Sequence, residues 1–276
     1  MRKIGWLFLV VMTLWGCSKK SPTIVTVTPA TFVLAEISLW RGSVFAETVS
    51  VFSDSVLDVN RSSAQLSFGT TQHGLSKKEP FPWGLRFRDT LHLPPPGMFC
   101  SMLVATNSGQ CQGGRVSMPG PYRVVQPSPY DTLPWDSATV FWSASSYATW
   151  YDLWVRCYVY DNMRQLIASA DTVLIMTGTS VLIPKSFLLR DAYAAYANVY
   201  ADLYAHDGAM PGSANNGKLT GNFNGYLYST YVDANSSCSF FVGTPRLAQT
   251  MEPFPSISAQ KRRQAILHAF EIAFNL

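Results

Sequence analysis

Apolar and polar side chains alternate residue by residue through much of this chain, and turn-forming residues break the alternation at short intervals. Thr48-Val49-Ser50-Val51-Phe52 and Ala64-Gln65-Leu66-Ser67-Phe68 alternate cleanly. Ile24 to Val27, Phe32 to Trp40, Leu85 to Leu93, Met98 to Thr106 and Arg115 to Met118 have the same character. A strand presents successive side chains to opposite faces, so this period marks strands rather than helices. Pro94-Pro95-Pro96-Gly97 is a turn, and Pro119-Gly120-Pro121 cannot continue a hydrogen-bonded ladder. Residues 23–118 are therefore expected to form one antiparallel β-sandwich, with a boundary at Pro119–Pro121.

The composition agrees. With 47% hydrophobic and 14% charged residues, the chain is too apolar for disorder. Its 276 residues suffice for one large domain or two of ordinary size. A net charge of +4 is too small to argue for nucleic acid.

A second set of strand signals begins at Tyr122. Ala138-Thr139-Val140-Phe141-Trp142-Ser143, Thr149 to Asp161, Thr179 to Pro184 and Tyr196 to His206 follow in order. Residues 122–243 resemble a fibronectin type III or related immunoglobulin-like domain. These four segments look like its strands B, C, E and F, and Trp142 like the strand B tryptophan that packs in the core. The fold class expected is all-β: two tandem antiparallel sandwiches plus a C-terminal amphipathic helix. The stretch from Asp207 to Gly225 is longer than the family's usual F–G loop. Its glycines and asparagines suggest an irregular, mobile segment. Tyr193, Tyr196, Tyr200 and Tyr204 recur at spacings that also suit one helix face. The sandwich context favours a strand for residues 192–205.

The N-terminus carries an address. Arg2 and Lys3 precede a 12-residue apolar run, Ile4 to Trp15, too short to span a bilayer. Leu14-Trp15-Gly16-Cys17 resembles the lipobox of bacterial lipoproteins. Leu14 and Gly16 fit that pattern, whereas Trp15 replaces a small or β-branched residue. The resemblance implies a signal peptide at 1–16, a lipidated Cys17 and a polar tether over 17–22. Ser18, not Asp, follows the cysteine, which in that family points to the outer membrane or cell surface. Loss of Arg2 and Lys3 lowers the net charge from +4 to +2, which gives no electrostatic hint of a partner. The bacterial origin that this resemblance implies would make the two glycosylation sequons, at Asn60 and Asn235, incidental.

Four further cysteines remain. Cys100 and Cys111 flank the turn Asn107-Ser108-Gly109 and form a candidate disulfide, although the register does not place them directly opposite. In the resembled fold, strand F separates Cys157 on strand C from Cys238 on strand G. Buried thiols are favoured there. The C-terminal extension, 244–276, contains Ser258 as a helix cap. An apolar stripe of Ile266, Leu267, Phe270, Ala273 and Phe274 follows, suited to docking on the second sandwich or lying on lipid.

The chain carries few residues in patterns suited to catalysis or metal binding. His73, His92, His206 and His268 are not at metal-motif spacing, and no CxxC, HExxH, GxSxG or P-loop occurs. Asp202, Asp207 and Asp233 form no regular calcium loop. His206-Asp207 has no recognisable nucleophile beside it. No catalytic residue, metal or cofactor is therefore expected.

One constellation stands out. If Tyr151, Leu153, Val155, Cys157 and Val159 point inward, then Trp150, Asp152, Trp154, Arg156, Tyr158 and Tyr160 point outward. On strand F, Ala197, Val199, Ala201, Leu203 and Ala205 would face in, and Tyr196, Asn198, Tyr200, Asp202, Tyr204 and His206 out. Trp150, Trp154, Tyr158, Tyr196, Tyr200 and Tyr204 thus make a candidate binding face for protein or glycan, unless the C-terminal helix covers it. The function expected is a non-enzymatic, lipid-anchored envelope or cell-surface protein serving adhesion, scaffolding or protein binding. The alternative is a carbohydrate-binding surface lipoprotein. A hydrolase assembled from scattered loops is a more distant third.

Overall fold

The computed structural model describes residues 31–40, 44–81, 84–91, 96–188, 194–213, 217–243, 264–266 and 268–269. The signal peptide, Cys17, the tether, the Ile24–Val27 strand, His92 and most of the expected tail helix lie outside them.

The first half contributes β1 (Thr31–Trp40), β2 (Val44–Ser53), β3 (Ser63–Phe68), β4 (Thr71–Gly74), β5 (Lys77–Phe81), β6 (Gly84–Leu91), β7 (Phe99–Thr106) and β8 (Gly109–Ser117). After Pro119–Pro121 come β9 (Val124–Gln126), β10 (Thr132–Leu133), β11 (Thr139–Trp142), β12 (Trp150–Tyr160), β13 (Leu166–Met176) and β14 (Ser180–Leu182). A four-residue helix α1 (Lys185–Leu188) precedes β15 (Tyr196–Gly208), β16 (Lys218–Gly221), β17 (Asn224–Val232) and β18 (Ser237–Gly243).

The second half has the strand arrangement its sequence suggests. β14, β11 and β9 form a three-stranded sheet, and β13, β12, β15 and β18 run in order in the other. Residues 196–208 are strand, so the tyrosine spacing does not reflect a helix. Pairing with β12 on one side and β18 on the other supplies the ladder hydrogen bonds that overrode it. Trp142 is buried and packs edge-on against Tyr151, ring centroids 5.5 Å apart.

Two expectations need correction. The halves are not separate sandwiches: β1 pairs in parallel with β17 over nine positions, Phe32↔Asn224 to Trp40↔Val232, and β8 pairs with β16. Nor is the long F–G segment wholly irregular. It carries β16 and leads into β17, and this hairpin enters the first half between β8 and β1. A continuous succession, β13-β12-β15-β17-β1-β2-β6-β5, thus crosses the expected boundary. A parallel pair needs a long connection, and the chain between β1 and β17 supplies one.

One hydrophobic core also spans both halves. Val33, Ala35 and Ile37 of β1 share it with Leu153 and Val155 of β12 and Val199 and Leu203 of β15. The Tyr122 hydroxyl, just past the Pro-Gly-Pro segment, donates to the Leu203 carbonyl at 2.5 Å.

The 100–111 disulfide is also corrected. All four described cysteines are buried thiols. Cys100 stands opposite Val116, and Cys111 opposite Val104. Four strand positions between Cys100 and Val104, at about 3.3 Å each, put the two sulfurs out of bonding range. Cys157 and Cys238 lie on β12 and β18, with β15 between them, as the resembled fold implied.

Candidate functional site

The alternation along β12 and β15 sorts side chains as their sequence suggests. Tyr151, Leu153, Val155, Cys157 and Val159 enter the main core, with Ala197, Val199, Ala201, Leu203 and Ala205 beside them. The opposite face carries the aromatic and polar set. That face does not end at β15. It continues across β17 and β1, where Tyr228, Thr230, Leu34, Glu36 and Ser38 occupy the same side by register.

The candidate binding face is not open. Trp150 is 1% exposed and Trp154 3%, while Tyr196, Tyr200 and Tyr204 are each 5% exposed. Only Tyr158 is intermediate. A ring that stacks on a ligand must present its flat side to solvent, so these residues do not form a free platform. At one end, Trp150, Tyr228 and Leu34 form an apolar cluster with Ile266, which is 1% exposed. Residues 264–266 and 268–269 are helical, so a described part of the tail covers the face there.

Farther along, Arg156 lies over Trp154, 4.9 Å from the ring centroid, and pairs with Asp202 at 2.6 Å. Asp202 also accepts from the Ser237 hydroxyl at 2.7 Å. Tyr158 and Tyr200 meet edge to face at 5.9 Å, and Tyr160 stacks on Tyr196 at 5.1 Å. The charge of Arg156 is thus neutralised beneath aromatic rings, as a buried guanidinium requires.

The most elaborate chemistry lies at the junction of the halves. His206 Nε2 is 2.6 Å from Asp152 Oδ2, and its Nδ1 is 3.0 Å from Thr230 Oγ1. The Thr230 hydroxyl donates to Glu36 Oε1 at 3.0 Å. Asp152, His206 and Thr230 are 0% exposed and Glu36 6%. The indole of Trp150 stacks on the imidazole with centroids 3.9 Å apart, and Tyr228 meets it edge-on at 5.8 Å.

An acid, a histidine and a hydroxyl in series resemble a nucleophile relay in composition. Here the hydroxyl is enclosed on every side, so a substrate carbonyl cannot approach it, and the arrangement bonds strands instead.

Asp207, the sequence neighbour of His206, faces the other way. It accepts from the Ser117 amide at 2.6 Å and the Thr149 hydroxyl at 3.1 Å. Asp233 serves the Asn235 amide at 2.9 Å. Asp202, Asp207 and Asp233 therefore belong to three separate clusters, and among the described residues no group of three metal-ligating side chains converges.

Sequence reasoning placed Asp152 and His206 on one face but missed Glu36 and Thr230. Their signal was weak: one acidic residue in a mostly apolar strand, and a threonine among tyrosines. Only the parallel pairing of β1 with β17 makes them neighbours.

No protein-family model matches the chain, and no curated protein matches it. Among solved structures, a chimeric titin Z1Z2-Z1Z2 tandem carrying a GRGDS peptide from fibronectin is similar at 10% identity. That match covers 79% of this chain and 100% of the other, with a TM-score of 0.21. The titin Z1Z2 domains in complex with telethonin match at 10% identity over 76% and 98% of the two chains, with a TM-score of 0.21. The chicken CNTN1 FN1–FN3 domains match at 12% identity over 73% and 65%, with a TM-score of 0.20.

Proposed function

We propose that this chain is a non-enzymatic protein of the bacterial envelope or cell surface, held by lipid on Cys17, whose second half serves as a protein-binding module. The observation that carries the binding role is the outer face of the β14-β11-β9 sheet. Phe141 is 43% exposed, Val125 51% and Leu182 53%. Phe141 stands opposite Ser180 and Gln126, and Leu182 opposite Thr139. The inward side is fixed by buried Val140 and Trp142 of β11 and by Ile183 just past β14. Exposed apolar side chains among polar ones on a rigid sheet suit a protein contact. Location rests on the lipobox-like sequence alone. The buried, strand-bonding role of the His206 cluster supports the non-enzymatic reading.

A photo-crosslinking residue at Val125, introduced into cells that make the protein, tests the contact. A discrete adduct with another protein is expected, and Leu182→Glu should abolish it while the fold is retained. No adduct, or one that Leu182→Glu leaves unchanged, would count against the surface. The carbohydrate alternative loses its support with the burial of Trp150 and Trp154. Glycan binding that Trp154→Ala removes from a folded protein would restore it.

A further inference from the structure

An open sheet ends on edge strands, and an edge strand presents a row of backbone N–H and C=O groups to which another extended chain can bond. The sheet ends of this molecule differ in how they meet that hazard. β4, β9, β10 and β14 are four, three, two and three residues long. β5 has five residues, and among them Lys77, Lys78 and Pro80 discourage pairing. β13 has neither protection. It runs for 11 residues without a lysine, arginine or proline, and its one charged residue is Asp171. Among the described residues it pairs with β12 and with no other strand.

We propose that the outer edge of β13 is a strand-addition site for an extended segment of another protein, one that carries apolar residues opposite positions 173–176 and a lysine or arginine opposite Asp171. This edge belongs to a different sheet from the Phe141 surface, so the two sites are independent. In strand addition the main chain supplies the hydrogen bonds, and alternate side chains supply the selectivity.

The partner's chemistry follows from the two faces of β13. Val173 and Ile175 pack toward the Trp150–Tyr228 cluster, and Leu174 and Met176 toward the main core. All four stay half-buried at the border of the sheet. An added strand continues both layers, so apolar residues suit both of its faces there. Toward the other end of β13, Ser169 and Asp171 are exposed. Asp171 stands opposite Arg156 of β12, but that guanidinium is drawn to Asp202 at 2.6 Å. The Asp171 carboxylate has no ion-pair partner among the described residues, and a cation opposite it on an added strand would supply one. A second copy of this chain fits less well. Antiparallel self-pairing about the middle of β13 sets Asp171 against Asp171, and like charges directly opposite destabilise a ladder.

The test is the fluorescence anisotropy of a labelled synthetic peptide, Ile-Val-Leu-Val-Thr-Lys-Thr, titrated with the full chain in detergent. In antiparallel register its apolar run meets positions 173–176 and its lysine meets Asp171. Saturable binding is expected, weakened about three- to tenfold when glutamate replaces the peptide lysine. Asp171→Lys should reverse that preference and Asp171→Asn should remove it; the asparagine variant decides alone if the lysine variant does not fold. On peptide binding, hydrogen exchange should slow at alternate amides of β13 and stay unchanged in the β14-β11-β9 sheet. Absence of saturable binding, equal affinity for the two peptides, or protection that arises elsewhere would overturn the proposal. Sedimentation that shows a dimer dissociated by Val173→Lys would assign the edge to a second copy and overturn it as well.

Discussion

Glu36 and Thr230 are 194 residues apart in sequence and joined by a hydrogen bond of 3.0 Å. The bond lies where β1 runs parallel to β17, so the first described strand is locked to one that arrives after most of the chain. Neither half can complete its sheets without the other.

Unfolding should accordingly be a single event. Ser229→Pro, in the middle of β17, places a proline in a strand flanked on both sides, a position that proline's missing N–H makes strongly unfavourable. Hydrogen exchange should then accelerate together in β2 and β12. Protection retained in one half and lost in the other would show that the halves are independent.

The same junction depends on close approach at Gly225. A Cβ there would lie 2.7 Å from the Val33 Cβ and 2.8 Å from the Val33 carbonyl oxygen. Gly225→Ala should therefore destabilise the protein by about 1–3 kcal/mol, as overpacking does. Gly74, which has no atom within 4 Å of its would-be Cβ, is the control, and its alanine variant should stay within about 0.5 kcal/mol. Equal melting temperatures for the two variants would contradict the packing of β1 on β17.

Burial pushes the thiols of Cys111 and Cys238 from an ordinary 9.0 up to about 12, with Asp202 adding to the effect at Cys238. The unfolded chain releases these protons near pH 9, whereas the folded chain keeps them. Above that pH the unfolded state binds fewer protons, so stability must fall as pH rises. The contribution is full below pH 9 and disappears toward pH 12. A Cys111→Ala, Cys238→Ala double variant should show a shallower alkaline loss in denaturant titrations. Parallel profiles would refute the assignment.

Anchoring gives a separate expectation. The lipid on Cys17 is the proposed anchor, and among the described residues no helix is long and apolar enough to cross a membrane. Two or more acyl chains suffice for stable attachment. Cys17→Ala should move the protein from the membrane pellet to the soluble fraction. Full retention of the variant in the pellet would rule out a lipid-only anchor.

Ile266 touches the cluster of Trp150 and Tyr228 and is almost fully buried. Ile266→Ala should cost about 2–5 kcal/mol. Truncation after Pro253 should also lower the melting temperature and raise the fluorescence of a dye that binds apolar surface. If the truncated chain melts unchanged and binds no added dye, the tail does not stabilise this face.

Alternation along the segment was enough to identify β1, β2, β3, β6 and β7, because a strand's two faces are written in every second residue, whereas β12 and β15 were read as strands from the resemblance to a fibronectin type III domain. The same rule sorted Leu153 and Val155 from Trp154 and Arg156, and the family resemblance placed Trp142 in the core. Local pattern could not decide what each face meets. Trp150 and Trp154 read as outward residues, which they are relative to the main core, yet the neighbouring elements bury them. The asparagines and glycines between Asp207 and Gly225 read as an irregular loop. Part of that segment becomes strand only because β8 and β1 offer edges on either side of the β16–β17 hairpin. Sequence thus determined where most of the long strands lie and which of their side chains share a face, since both follow from backbone geometry. Tertiary structure alone decided that the two halves share one sheet and that Glu36 meets Thr230. Strand partners are chosen by hydrogen bonding between segments distant in the chain, and no local period records that choice.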